Sequence, residues 1–280
     1  DEHRALYGDE PLWTGSMFGG MPAYQIGVVW PTTALDFIDK AFHGFLPRPA
    51  SFLFLYLLGM FVLLRCLRLD LWVSVVGAIA YGFATYYLVV IEAGHTSKAN
   101  AMGYMPMVLG GFYLLLRGQR LWGAALFALF LALQVKMNHV QVTYYLGFLL
   151  VLFAVAETIR AFREKRLPDL LGRFGLAAVG AVFALLCNLG VLWGTMEYSP
   201  HTTRGASELT INPDGSSALA NKTSGLDRDY VTQWSYGKQE SLTFLVPGAK
   251  GGASGPVVST REELDAIADP RFRSALTQRL

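Results

Sequence analysis

Within IEAGHTSKAN, residues 91 to 100, an acid, an imidazole and an ammonium recur at every third position as Glu92, His95 and Lys98. Side chains three apart on a helix are neighbours, so a continuous helix would set them in one stripe, while Gly94 would break it. A second stretch, KMNHVQ at 136–141, repeats the chemistry: Lys136 and His139 stand three apart, as do the amides Asn138 and Gln141. Cations of this kind can hold a phosphate while a carboxylate or a neutral imidazole takes a proton. Either stretch alone reads equally well as the polar end of an apolar segment meeting water. The recurrence at two places favours a shared site. Several carboxylates and two of the histidines could ligate a metal, but neither HExxH nor HxxxH spacing occurs, so no metal or other cofactor is expected.

The elements that must carry these groups are apolar. Hydrophobic residues make up 53% of the 280 and charged residues 16%, with a mean hydropathy of +0.36; soluble domains have roughly 45–50% apolar residues. Apolar runs fall at 50–64, 71–91, 101–116, 121–135, 140–156 and 174–196, against about 20 residues for a spanning helix. The shorter runs would borrow flanking residues or tilt. The expectation is an all-α polytopic membrane bundle of about six spans over 50–196, with segments 1–49 and 197–280 outside it. Three alternate connections hold the arginines: Arg65 and Arg68, Arg117 and Arg120, then Arg160, Arg163 and Arg166 with Arg173 beyond. An excess of positive charge marks cytoplasmic loops, so Glu92, His95, Lys98, Lys136, Asn138, His139 and Gln141 are expected on the extracytoplasmic face. A net charge of +2 without a run of like charges gives no reason to expect a nucleic-acid partner. Cys66 and Cys187 have no disulfide or zinc spacing and read as small hydrophobes.

The flanking segments differ in kind. PLWTGSMFGGMPAYQIG, from residue 11, has too much glycine for a spanning helix and reads either as a re-entrant or interfacial loop or as an aromatic belt. The segment from 197 is loop chemistry, with a strand expected at ESLTFLVPG, a helix from Ser259 and a small mixed α/β character overall. Asn221 heads a glycosylation sequon. GLDRDYVTQWSYGKQE interleaves aromatics, Tyr230 and Trp234 among them, with acids and amides; that composition suits a sugar-binding surface and an ordinary protein surface alike. Polar sequence at both ends, with no initiator Met or signal peptide, reads as a piece of a longer protein.

Five blocks in this order, PLWTGSMFGGMPAYQ, EAGHTSKANAMGYMP, KMNHVQVTYY, EYSPHTTRGASELT and GLDRDYVTQWSYGKQESLTFLVP, resemble the YfhO-like bacterial membrane proteins. The membrane part of that family is similar to the GT-C superfamily of integral-membrane glycosyltransferases. The resemblance implies a multi-pass protein of the bacterial inner membrane, active on its extracytoplasmic face. It implies transfer of a sugar from a polyprenyl-phosphate-linked donor to a cell-surface glycan or lipid acceptor. His95, Lys98, His139 and Arg204 would then contact phosphate and acceptor, with Lys136, Asn138, Gln141, Tyr230 and Trp234 as further substrate contacts. GT-C enzymes carry their catalytic Asp shortly after a first span, which this chain lacks upstream of its opening loop; Glu92 is the best internal acid, with Asp1 and Asp36 behind it. A lipid or solute transporter, or a scaffold binding polyprenyl phosphate without chemistry, is the alternative. A transporter should place its polar groups near mid-bilayer in broken helices, whereas these gather at helix ends.

Overall fold

The computed structural model describes residues 2–15, 20–25 and 33–202, and positions 215, 232, 235, 237–246, 249 and 265 of the tail. The chain is mostly helical. In order, the helices are α1 (Glu2–Tyr7), α2 (Ala34–Phe42), α3 (Ala50–Cys66), α4 (Leu71–Gly82), α5 (Thr85–Glu92), α6 (Thr96–Leu116), α7 (Arg120–Lys136), α8 (Val140–Arg163), α9 (Leu167–Cys187) and α10 (Leu189–Tyr198). Three of them, α6, α8 and α9, are long and apolar enough to cross a membrane; α4 and α5, bent by 45° at Phe83 and Ala84, make a fourth if taken as one span. The run at 71–91 is therefore broken. The run at 174–196 is broken too: α9 starts earlier and gives way to α10 at Asn188.

Burial is arranged inside out. The most apolar 18-residue window of α6 is 78% buried, against 17% and 22% for α8 and α9, so α6 is the central helix and the other two present apolar side chains outward. Phe148, Val151, Leu152, Val155 and Ile159 on α8 and Val179, Val182 and Phe183 on α9 are all exposed. A helix that is apolar all round suits a protein core or a lipid surround, and these faces have no protein cover among the described residues. Membrane association follows from them.

Close approach of α6 to its neighbours depends on missing side chains. A Cβ on Gly123 of α7 would lie 2.3 Å from the Leu115 nitrogen, and one on Gly59 of α3 would lie 2.3 Å from the Gly103 carbonyl oxygen. Small residues at helix contacts let backbones meet in membranes, where dispersion rather than the hydrophobic effect drives association. Around this centre α3 and α7 pack on α6, α9 packs on α7, and α8 leans on α6.

The reversals use backbone in the left-handed region at Arg68 (φ 63°), Gly94 (φ 72°), Gly118 (φ 102°), Asn138 (φ 51°) and Lys165 (φ 56°). Such a residue just past a helix end frees the chain to turn, with glycine and then asparagine preferred. Of the two readings open at 92–98, Gly94 thus gives the break rather than the stripe: Glu92 closes α5, His95 is the N-cap of α6, and Lys98 lies in the first turn of α6.

The described part of the first 49 residues holds more than a loop. Trp13–Thr14 (β1) pairs antiparallel with Met21–Pro22 (β2), and Tyr24 in the following 3-10 turn lies against Gly194 of α10. Helix α2 was not expected. Its apolar residues Leu35, Ile38 and Phe42 pack on the core, and its start is fixed by Asp36, which accepts from the Thr33 N–H and hydroxyl, both at 2.7 Å. This is one half of a capping box. In the tail, the strand expected at ESLTFLVPG is instead a 3-10 turn at Glu240–Phe244 packed on α5; the Glu240 carboxylate accepts the Gly237 N–H at 2.8 Å and winds the chain there. The helix expected from Ser259 and the sequon at Asn221 lie outside the described residues.

Candidate functional site

The polar chemistry segregates to the two ends of the bundle. One end gathers Arg65, Arg68, Arg117, Arg120, Arg160, Arg163, Arg166 and Arg173. The other gathers His43, His95, His139 and His201 at helix ends and is called here the histidine end.

At the histidine end α2 lies across the start of α6 and the close of α7, held by three polar links. Lys136 Nζ donates to Asp36 Oδ1 at 2.5 Å. The Tyr104 hydroxyl donates to Asp39 Oδ1 at 2.6 Å. His43, almost fully buried, has Nε2 2.9 Å from Asn100 Oδ1, while its Nδ1 lies 2.8 Å from the Asp39 backbone carbonyl and 3.4 Å from Asp39 Oδ1. A ring nitrogen facing a carbonyl donates, so Nδ1 carries a proton; the orientation of the Asn100 amide decides whether Nε2 also does.

Partial burial pushes the Asp36 carboxyl up, but the hydrogen bond from Lys136, those from Thr33 and the ammonium charge outweigh it and bring the group down to about 2. A carboxylate held so low is a weak proton acceptor at neutral pH. Asp36 therefore serves α2 docking in this arrangement, and Lys136 is neutralised by it. The sequence pointed to both residues separately; their pairing across 100 positions was not visible.

Beside this cluster, where α7 turns into α8, lies a cavity of about 310 Å³. Its walls are Val135, Val140, Leu185 and Leu192, with Asn138, His139, Thr143 and Tyr144 as polar members. His139 is the N-cap of α8, its Nδ1 accepting from the Val142 N–H at 3.4 Å, which leaves the proton of the neutral ring on Nε2. Asn138 occupies the left-handed turn position, so its residue type has a backbone reason as well. Behind the wall, fully buried Gln134 reaches the Thr143 hydroxyl at 3.4 Å. Gln141 is exposed and donates to the Tyr145 hydroxyl at 3.2 Å.

Glu92 and His95 are exposed on the α5–α6 turn, and Lys98 Nζ sits over the Tyr86 ring, 5.0 Å from its centroid, a cation–π contact. Among the described residues no hydrogen bond or ion pair joins Glu92, His95 and Lys98 to one another or to the 136–141 group. Asp1, Arg204, Tyr230 and Trp234 lie outside the described residues. No group of three metal-ligating side chains occurs among the described residues.

Asp39, His43, Asn100 and Tyr104 escaped the sequence reading. A signal existed: TALDFIDKAF carries a T-x-x-D start followed by apolar residues at 35, 38 and 42, the pattern of a capped amphipathic helix. Against profiles of known protein families, curated proteins and solved structures, the chain has no match.

Proposed function

We propose that this chain is a membrane glycosyltransferase module of YfhO-like, GT-C type, with about six spans and its arginine end in the cytoplasm. It transfers a sugar from a polyprenyl-phosphate-linked donor to a cell-envelope acceptor at the histidine end. The observation that carries this reading is the cavity that His139 lines: apolar walls built from α7 to α10, with Asn138, His139, Thr143 and Tyr144 as its polar members. That is the profile of a site for an amphiphile with a polar head. His139, which lines the cavity, is proposed to receive the phosphate with His95 and Lys98 of the separate α5–α6 turn. Glu92 on that turn, exposed and outside the α2 ion pair, is the acid proposed to activate the acceptor hydroxyl.

The test is reconstitution of the full-length protein with a labelled polyprenyl-phosphate sugar, comparing Glu92→Gln, His95→Ala, Lys98→Ala and His139→Ala at equal folded levels. Loss of transfer by Glu92→Gln with donor binding retained supports the assignment; full activity in all four variants sinks it. A second reading, a polyprenyl-phosphate-binding scaffold or transporter without chemistry, is favoured by the mutual neutralisation of Asp36 and Lys136. It predicts donor binding with no sugar released.

A further inference from the structure

The arginine end holds a second cavity, which the sugar-transfer reading does not use. Its volume is about 280 Å³, near the lower edge of the roughly 300–1,000 Å³ usual for small-molecule sites. Five arginines line it, from the ends of α3, α6, α8 and α9, against two acids, Glu157 and Glu164.

The acids do not match the cations. Arg166 donates to Glu157 and, at 2.5 Å, to Glu164. Arg160 donates to Glu164 at 2.8 Å. With those carboxylates engaged, Arg117 stands 4.0 Å from Glu157 and stacks over Tyr113. Arg173 is clamped by the Leu116 carbonyl and Asp169, yet its Nε is buried with no partner among the described residues. Arg68 makes no side-chain hydrogen bond or ion pair among the described residues. A network that served only to hold helices together would balance its charges; this one lines a polar hollow with positive charge in excess.

Depth is given by the neighbours. Trp72 and Trp122, in the first turns of α4 and α7 at this same end, are both exposed, and tryptophan concentrates at the membrane–water interface. The cavity therefore opens where lipid phosphates lie. Guanidinium groups suit phosphate because their N–H groups donate in a planar fork.

We propose that this cavity binds a phosphate-bearing anion at headgroup depth, with Arg68 and Arg117 as the ligating guanidiniums. The inference stands apart from the function at the histidine end and survives its failure. The chemistry is shared by an anionic phospholipid headgroup and by soluble phosphate.

The full chain is placed in nanodiscs of phosphatidylcholine with or without phosphatidylglycerol, and retained lipid is counted by native mass spectrometry after transfer to detergent. In a parallel arm, inorganic phosphate is titrated into the phosphatidylcholine discs by calorimetry. Retention of phosphatidylglycerol over phosphatidylcholine assigns a lipid source, and phosphate binding without lipid preference assigns a soluble one. In whichever arm binds, Arg68→Gln is expected to weaken binding roughly fivefold and Arg68→Gln with Arg117→Gln by more, from the usual contribution of a basic residue near an anionic surface. Arg163→Gln, which lies outside the cavity, should bind as the parent does. Arg68 is exposed, so its single variant keeps the test open if the double variant does not fold. Absence of binding in both arms, or parental binding by folded Arg68→Gln and the double variant, overturns the proposal.

Discussion

The ion pair between Asp36 and Lys136 gives the most direct quantitative test of how α2 is held. In the docked chain the Asp36 carboxyl lies at about 2 against an ordinary 3.8, partial burial raising it less than the Lys136 hydrogen bond and charge and the Thr33 hydrogen bonds of α2's own cap lower it. At about 1.36 kcal/mol per pKa unit the whole shift corresponds to about 2.5 kcal/mol, of which docking on Lys136 supplies a part. Its side chain is 31% exposed, so solvent screening reduces the contribution to about 1–2 kcal/mol. Asp36→Asn removes the charge but keeps an acceptor for Thr33, and it leaves the Lys136 ammonium without its partner. Amide exchange over 34–42, followed by mass spectrometry at neutral pH, should accelerate by roughly 5- to 30-fold, the same free energy read as an opening constant. The sign with pH follows from the lowered value. Docked α2 binds fewer protons than free α2, so the contribution is complete above pH about 4 and disappears as the pH falls through about 2. A spin label at exposed position 40 should gain mobility in that window and lose the pH response in Asp36→Asn. Parental protection of 34–42 in Asp36→Asn would refute the reasoning and leave the packing of Leu35, Ile38 and Phe42 as the sole restraint.

Three further perturbations probe the frame around the site. Gly123→Ala forces a Cβ to within 2.3 Å of the α6 backbone, so α6 and α7 must part; a loss of about 1–3 kcal/mol is expected in a denaturant titration in micelles, while Gly147→Ala, with open space at its Cβ position, should change little. Asn188→Ala removes amide donation to the Ala132 carbonyl at 3.0 Å and the Ala184 carbonyl at 2.9 Å, with an expected cost of about 1 kcal/mol in the same titration. Tyr104→Phe deletes the hydroxyl on Asp39 and should cost about 1.5–3 kcal/mol, as for a hydrogen bond to a charged group, seen as faster exchange confined to α2 and the start of α6.

What the sequence reveals here depends on range. Helices α3 and α6 to α9 were readable because a lipid-facing or doubly buried helix is apolar along its length, and the basic connections showed which helix ends would lie together. The pairings that build the site join residues far apart in the chain, Asp36 with Lys136, Asp39 with Tyr104 and His43 with Asn100, and no local pattern encodes them. Periodicity also misled where a break mattered. The run at 71–91 has unbroken hydropathy, yet Phe83 and Ala84 leave the helix; apolar composition gives no sign of the bend. At 92–98, where a continuous stripe and a break at Gly94 were both open, the backbone takes the break. Asn138 shows the converse, for an amide expected to meet substrate also has the conformational preference that the α7–α8 turn needs.

The two ends solve the burial of polar groups in different ways, and this bears on what each can bind. At the arginine end buried Glu157 and largely covered Arg173 set formal charges six residues inside their helix ends, beside buried Ser74 of α4. They tolerate that position through pairing and through long side chains that keep their charge near headgroup water. At the histidine end the groups that penetrate are mostly uncharged: Asn188, Gln134 and Tyr104. Tyr104 lies eight residues into α6, roughly 12 Å at 1.5 Å per residue. Asn188 and Tyr104 are held by directed hydrogen bonds rather than by the local potential, and the cavity at this end presents uncharged groups, Asn138, Thr143 and Tyr144 with His139, that carry no counter-ion to displace. On the two proposals, a phosphate at the arginine end would meet an excess of charge, whereas a polar head in the cavity at the histidine end would meet Asn138, His139, Thr143 and Tyr144 with Lys136 already paired to Asp36. On the proposed reading, selectivity at the histidine end rests on hydrogen-bond matching, and a ligand there needs hydroxyls as well as charge.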